Sequence, residues 1–322
     1  MHILVLRFSA LGDVAILQPV LKQRCAANPD NHFTLAAPAL AQPLFADIPN
    51  LSYFPIDKHR PLREIWRSLC DLKPDAVADM HGVLRTMRLD LRFRLRGVPV
   101  HSIDKQRSSR RGLLCKENKD LTPLKPSWQR YDEVFDSMGL AGKTCPGDYI
   151  EKLLTDDGQR RIGIAPFAQH EGKVWPLDNV ARLVSLLVWD SRNRVFLFGA
   201  KSEAEVLNDL ASPYVSTVKV CAGMGTLADE MRVMCSLNVL LSMDSANMHI
   251  ASCLGVPVVS IWGATHPAAG FYGWRQRPEW VMQADMPCRP CSMFGQKPCR
   301  YGDRRCLKAI TPEQVAARLS EF

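Results

Sequence analysis

Short apolar runs alternate with stretches of helical period along almost the whole chain. In the first half, His2–Phe8, His32–Ala36, Leu51–Ile56, Ala76–Asp79 and Val98–Ile103 are apolar runs of strand length, and the pattern predicts five strands there. Between them, Val14–Ala27, Leu62–Leu72 and Val83–Arg96 carry apolar positions three and four apart, the period of a helix with one buried face. The second half repeats the arrangement. Strands are expected at Arg161–Pro166, Val195–Phe198, Val215–Cys221, Val239–Met243 and Val256–Trp262. Helices are expected at Leu177–Asp190, Glu203–Ala211, Leu227–Cys235 and Ala246–Leu254. Strand and helix in strict alternation build parallel sheets with right-handed crossovers.

The pattern weakens between about Ser108 and Asp157, where polar and Gly/Pro-containing stretches (SSRRG, GKTCPGD, TDDGQRR) surround one helical stretch near Arg130–Met138. A domain boundary is expected near Glu151–Arg160, dividing the chain into residues 1–155 and 156–322. The length agrees, since 322 residues exceed one ordinary core and fit about two domains of roughly 150 residues each. The expected fold class is α/β, two doubly wound domains facing across a cleft. Ligands of such sheets bind beyond the carboxyl ends of the strands.

With 47% apolar and 23% charged residues, the composition excludes disorder, collagen and coiled coil. No run approaches the roughly 18 apolar residues of a spanning helix. The opening MHILVLRFSALGDV has no cationic leader, so a cytoplasmic address is expected. The net charge of +8 is local. Between Arg85 and Lys119, Lys and Arg exceed Asp and Glu by as much as they do over the whole chain, which argues for one anion-attracting surface and against a nucleic-acid coat.

The candidate chemistry falls at strand ends. After the first strand come Ser9, Gly12 and Asp13, and a helix follows at once; Asp13 could meet a ligand or simply serve the helix N-terminus. The first strand of the second half opens into a loop with Gln169 and Lys173, where a lysine can reach a diphosphate or stay solvated. Beyond the strand Val239–Met243, Asp244, Ser245 and Ala246 start a helix that carries His249 one turn in, an arrangement for an anion or a sugar hydroxyl. The ordinary alternative is a Ser245 cap and a core histidine. Gly263 and Thr265 follow the next strand on the same edge.

The segments RFSALGDV, GKVWP, DSANMHIASCLGVPVVSIWGATHP and the late CxxC window resemble glycosyltransferase family nine, the heptosyltransferases of lipopolysaccharide assembly. The resemblance spans nearly the whole chain. It implies the GT-B fold, with residues 1–155 as acceptor domain, residues 156–322 as nucleotide-sugar domain, and a last helix that crosses back to the first domain. It implies an inverting transfer, without a bound metal, from a nucleotide-activated sugar, typically ADP-heptose. Asp13 matches the family's general base, Lys173 its diphosphate lysine, and Asp244 through His249 the donor-holding loop and helix start. Ala246 replaces a usual glycine, and Ala168 and Gln169 replace hydroxyl residues. Donor binding is thereby expected at Ser9, Gly12, Gln169, Lys173, Asp244, Ser245, Ala246, His249, Gly263 and Thr265.

In Val83–Arg96, Leu84, Met87, Leu91 and Leu95 share one face, which the helical period expects to be buried, while Arg85, Arg88, Arg92 and Arg96 form a stripe beside it. The helix follows Asp79-Met80-His81-Gly82. His81, Arg85, Arg88 and Arg92 are therefore candidates for an acidic acceptor such as a phosphorylated core saccharide, or for an anionic inner-membrane surface; an ordinary solvated face is the alternative. Cys288, Cys291, Cys299 and Cys306 have three readings: a structural zinc site, reduced thiols under the C-terminal helix, or a pair of disulfides. Two rival functions stay open. One is a nicotinamide-dependent dehydrogenase, opposed by the lack of GxGxxG after the first strand. The other is a non-catalytic sugar-nucleotide-binding module.

Overall fold

The computed structural model describes residues 1–115, 117–147 and 157–322. The chain runs β1 (His2–Leu6), α1 (Leu11–Ala27), β2 (His32–Ala37), β3 (Leu51–Pro55), α2 (Leu62–Cys70), β4 (Ala76–Asp79), α3 (Leu84–Arg94), β5 (Val100–Ser102), α4 (Arg107–Leu113) and α5 (Ser127–Ser137). It continues with β6 (Arg160–Ala165), α6 (Leu177–Leu187), β7 (Asn193–Leu197), α7 (Ala204–Ala211), β8 (Val218–Val220), α8 (Leu227–Met234) and β9 (Val239–Met243). Then follow α9 (Ala246–Cys253), β10 (Val258–Trp262), β11 (Val281–Gln283), α10 (Arg305–Lys308) and α11 (Pro312–Leu319).

The strands form two all-parallel sheets, in the orders β3-β2-β1-β4-β5 and β11-β10-β9-β6-β7-β8. Both are doubly wound. The chain leaves β1 toward β2 and β3 and returns on the other side at β4; in the second sheet it leaves β6 toward β7 and β8 and returns at β9. Helices cover both faces of such a sheet, so its central strands need no polar face. Every residue of β9 and β10 is buried, and so are Ile3–Leu6 of β1. Each sheet therefore has one switch point, beyond the carboxyl ends of β1 and β4 and of β6 and β9, where a crevice opens between diverging crossovers.

Packing divides the chain into a first unit, Met1–Gln106 with Lys125–Cys145, and a second, Arg107–Leu124 with Pro146–Phe322. The boundary expected near Glu151–Arg160 falls partly on residues 148–156, outside the described residues. The basic window is also shared between the two units, since Arg107–Lys119 belongs to the second. There Lys119 Nζ donates to the Pro290 carbonyl (3.0 Å) and Leu124 N to that of Ala268 (2.8 Å). In the first unit, fully buried Arg24 on α1 binds Asp132 and Asp136 of α5 (2.6 Å each) and the carbonyls of Leu140 and Ala141, which fixes α5 against α1.

One expectation about helix packing needs correction. On α3, Leu84, Met87, Leu91 and Leu95 are 75%, 50%, 58% and 78% exposed, so this apolar stripe is not the core face. The opposite side, Thr86, Leu89, Asp90 and Phe93, is buried instead. Leu89 and Phe93 join the core beside Val77 of β4, and Phe93 meets Trp66 of α2 edge-on at 4.7 Å. The buried side has only two apolar residues, Leu89 and Phe93, so their packing, and not the longer apolar strip, marks the core face. The last helix, α11, packs on α6, with Val315 and Leu319 in the core of the second unit. Among the described residues, no helix is long and apolar enough to cross a membrane.

Candidate functional site

Each switch point carries a cluster of the predicted residues. In the first unit, the loop after β1 brings Ser9 to His81, from the loop after the neighbouring strand β4 (Ser9 Oγ to His81 Nε2, 3.3 Å). Asp79 holds that second loop by accepting from the backbone amides of His81 (2.8 Å) and Gly82 (3.0 Å). Gly12 and Asp13 lie in the first turn of α1, and Ala10, not Asp13, is its N-cap residue. The Asp13 carboxylate is ion-paired with Arg7, which also donates to the Met80 carbonyl (2.6 Å) and lies 5.8 Å from the Tyr131 ring centre. The Tyr131 hydroxyl donates to the Asp13 carbonyl at 3.3 Å. Burial works most strongly against charge on Arg7, but the Asp13 carboxylate, Tyr131 and Asp79 together outweigh it and raise its proton affinity. Burial, and then the charges of Arg7 and Lys105, push His81 down to about 3, so its imidazole is neutral near pH 7. That makes His81 a hydrogen-bonding partner rather than a cation for an acidic acceptor.

The arginine candidates lie on the flank of α3. Arg85 donates to the Arg60 carbonyl, Arg92 stands over the Trp66 ring (5.7 Å), and Arg88 is exposed. Beneath them, buried Asp90 lies close to buried Asp79 and accepts from Ser102 Oγ at 3.4 Å. Burial and the Asp79 charge push Asp90 up to about 8. A carboxyl raised above its unfolded value near 4 binds more protons in the folded chain, so its contribution is complete below that value and is lost as pH rises toward 8. The stability of the wild type is expected to fall between about pH 4 and 8, by at most about 1.4 kcal/mol per pH unit from this group, with the melting temperature following it down. Asp90→Asn should flatten the decline in a calorimetric pH series. Parallel slopes for the two proteins would show that Asp90 is ionised throughout.

In the second unit, Lys173 ends the loop after β6 and points to the end of β9. Its Nζ donates to Asp244 Oδ2 (2.9 Å) and to the Asp244 carbonyl (3.1 Å), and Thr265 Oγ1 donates to the same Oδ2 (2.8 Å). Asp244 and Thr265 are buried, while Lys173 keeps partial exposure. Asp244 thus orients the lysine. Ser245 occupies the N-cap position of α9, but its hydroxyl pairs with Ser242 (3.2 Å) and does not cap the helix. Its first-turn amides, with Ala246 at the start and buried His249 one turn in, keep the anion affinity of a helix N-terminus. Gln169 is exposed on the loop before Lys173. Gly263 lets two loops touch, because a Cβ there would come within 2.5 Å of the Gly172 carbonyl oxygen.

Arg7 and Tyr131 join the first unit's cluster, and Arg289 and Gly295 the second unit's, without having been singled out by the sequence. Arg289, buried between Cys288 and Cys291, donates to the carbonyls of Gly263 (2.6 Å) and Thr265 (2.9 Å) and so shapes the loop after β10. Its position inside the CxxC window is the one signal that points to it. Gly295, at φ +82°, lies against the lysine stem; a Cβ there would stand 2.8 Å from Lys173 Cγ. All eleven cysteines are free thiols, which removes the paired-disulfide reading. Among the described residues, no group of three or more His, Cys, Asp or Glu side chains is placed to hold a metal ion.

Residues 62–300 match the model of glycosyltransferase family 9 (heptosyltransferase). Lipopolysaccharide heptosyltransferase 1 of Escherichia coli O18:K1:H7 (strain RS218 / NMEC) is 27% identical over 304 residues, covering 86% of this chain and 90% of that protein. The solved structure of E. coli heptosyltransferase WaaC with ADP aligns with a TM-score of 0.71 at 22% identity, covering 100% of this chain and 99% of that one. That of the family 9 glycosyl transferase from Veillonella parvula DSM 2008 gives 0.73 at 21% identity, covering 100% and 97%. The two Rossmann-like units make the fold GT-B in class. With the family model matched over well more than half of its length, the chain is a glycosyltransferase that belongs to family 9, the heptosyltransferases.

Proposed function

We propose that the enzyme transfers heptose from ADP-heptose to an anionic, lipopolysaccharide core-type acceptor, with inversion at the anomeric carbon and without a metal in the transfer step. The observation that carries this reading is the hold on Lys173: two of its three N–H groups go to Asp244, and the ammonium stands beside the β9–α9 turn. A departing diphosphate needs positive charge, and Lys173 with the first-turn amides of α9 supplies it. The sequence contains no Asp-x-Asp motif of the kind that would hold a divalent ion for that purpose. Neighbours solved with ADP and with ADP-2-deoxy-2-fluoro heptose support the donor assignment.

In the transfer, an acceptor hydroxyl oxygen bonds to the anomeric carbon, the bond from that carbon to the diphosphate oxygen breaks, and ADP leaves. Asp13 takes the hydroxyl proton as the new bond forms. The first unit holds the acceptor, with His81 beside Asp13 and the arginines of α3 attracting its negative charge, while Ser9 and Gly12 keep the donor-contacting role that the family resemblance implies. The second unit holds the donor. Such an acceptor goes with peripheral contact at the cytoplasmic face of the inner membrane. Cys288, Cys291, Cys299 and Cys306 are read as reduced thiols rather than a structural zinc site, with metal content of the purified protein as the measure.

A thermal-shift comparison of ADP, UDP, GDP and NAD tests the reading. ADP at a hundredfold excess over its dissociation constant should add about 2.7 kcal/mol of stability by mass action, and the others less. A larger shift with NAD than with ADP would favour the dehydrogenase. ADP binding without transfer to any core-type acceptor would favour the binding module.

A further inference from the structure

The outward face of α3 is apolar where an ordinary surface helix is polar. Leu84, Met87, Leu91 and Leu95 follow one another at spacings of three and four, all at least half exposed. At 3.6 residues per turn they form one strip about 16 Å long that points away from the core face of Thr86, Leu89, Asp90 and Phe93. Arg85, Arg88 and Arg92 border the strip on one side and Arg94 on the other. Asp90 is the one acid of the helix, and it is buried. The adjoining α2 adds exposed Arg63 and Arg67.

We infer that α3 docks the protein on an anionic lipid surface, lying in the interface plane with Leu84, Met87, Leu91 and Leu95 among the acyl chains and the arginines at the phosphate level. An apolar strip edged with cations is what such a helix needs: the leucines enter the hydrocarbon boundary while arginine stems lie along it and their heads reach lipid phosphates. A second copy of the chain is a poor occupant, because a two-fold contact of α3 with itself would set arginine against arginine. The inference deepens the membrane-contact part of the reading above. It requires neither donor nor acceptor, so its failure leaves the transfer reading standing.

Sedimentation with phosphatidylethanolamine–phosphatidylglycerol vesicles, in the absence of nucleotide and acceptor, is the test. The wild type should bind these vesicles and bind neutral phosphatidylcholine vesicles much more weakly, with affinity falling but not vanishing as salt rises. Leu91→Gln with Leu95→Gln should bind about tenfold or more weakly, since two apolar anchors are lost. Both side chains are exposed, so the variant should keep its melting temperature and its turnover on a water-soluble acceptor. A single Leu91→Trp substitution should show a blue-shifted emission on addition of anionic vesicles. Vesicle binding unchanged in the double variant, no binding by the wild type, or an unshifted emission spectrum of the Leu91→Trp variant would each overturn the inference. So would self-association in solution that the double variant abolishes, which would make the strip a protein interface.

Discussion

Asp13→Asn is expected to lower turnover by roughly a hundredfold or more, the scale for loss of a positioned base, while ADP affinity stays near the wild-type value. The sequence alone suggests a nearly isosteric change at a helix start, where Asn serves about as well as Asp. The structure adds a cost. Asp13 is the partner of buried Arg7, and an amide leaves that guanidinium charged without its carboxylate, so stability should drop by about 1–3 kcal/mol. Activity must then be measured well below the lowered melting temperature. Arg7→Lys separates the two effects, because it disturbs the same pair but retains the base; it should lose stability with a far smaller loss of turnover. Near wild-type turnover by Asp13→Asn on a genuine acceptor would remove Asp13 from the mechanism. An equal loss in Arg7→Lys would mean that the ion pair, not the proton transfer, is what the reaction needs.

Lys173→Ala should weaken ADP binding roughly ten- to a hundredfold, the range for one lost charge-assisted hydrogen bond, and slow transfer as well. It also removes the ammonium from Asp244, whose side chain is 5% exposed and retains the Thr265 hydroxyl. Leaving a buried carboxylate without its cation costs about 3 kcal/mol, so the variant should melt well below the wild type. Lys173→Ala combined with Asp244→Asn removes both charges and should recover much of the stability without recovering affinity for ADP. Titration calorimetry and melting on the wild type and both variants read the two quantities independently. Wild-type ADP affinity in Lys173→Ala would place the diphosphate elsewhere.

Much of each cluster is legible along the chain because its residues lie close together in sequence at a strand end. Asp244, Ser245 and Ala246 come directly after β9, Ser9 to Asp13 directly after β1, and a parallel sheet needs its turns at those positions. The pairs are not legible. Arg7 with Asp13 is six residues apart across a strand-to-helix turn, and Lys173 meets Asp244 only because β6 and β9 are neighbours in the sheet. Arg289 shapes the Gly263–Thr265 loop from 24 residues downstream. Nothing in a local period encodes such contacts.

Local pattern is enough to specify two parallel sheets and the strand ends where chemistry gathers, because hydrophobic period and turn residues act over a few positions, whereas the roles of Asp13 and Lys173 are what the family resemblance implies. The core face of α3 is a matter of three-dimensional packing. The exposed strip is wholly apolar while the buried face holds Thr86 and Asp90 beside Leu89 and Phe93, so periodicity favours the side that packing leaves outside, and the choice lies with the packing of Leu89 and Phe93 beside Val77 and Trp66. Packing likewise assigns residues 107–124 to the second unit and returns α5 to the first, where Arg24 meets Asp132 and Asp136 across more than a hundred positions. Burial and ion pairing depend on what lies beside a residue in space, and that is settled when the crossovers close over the sheets.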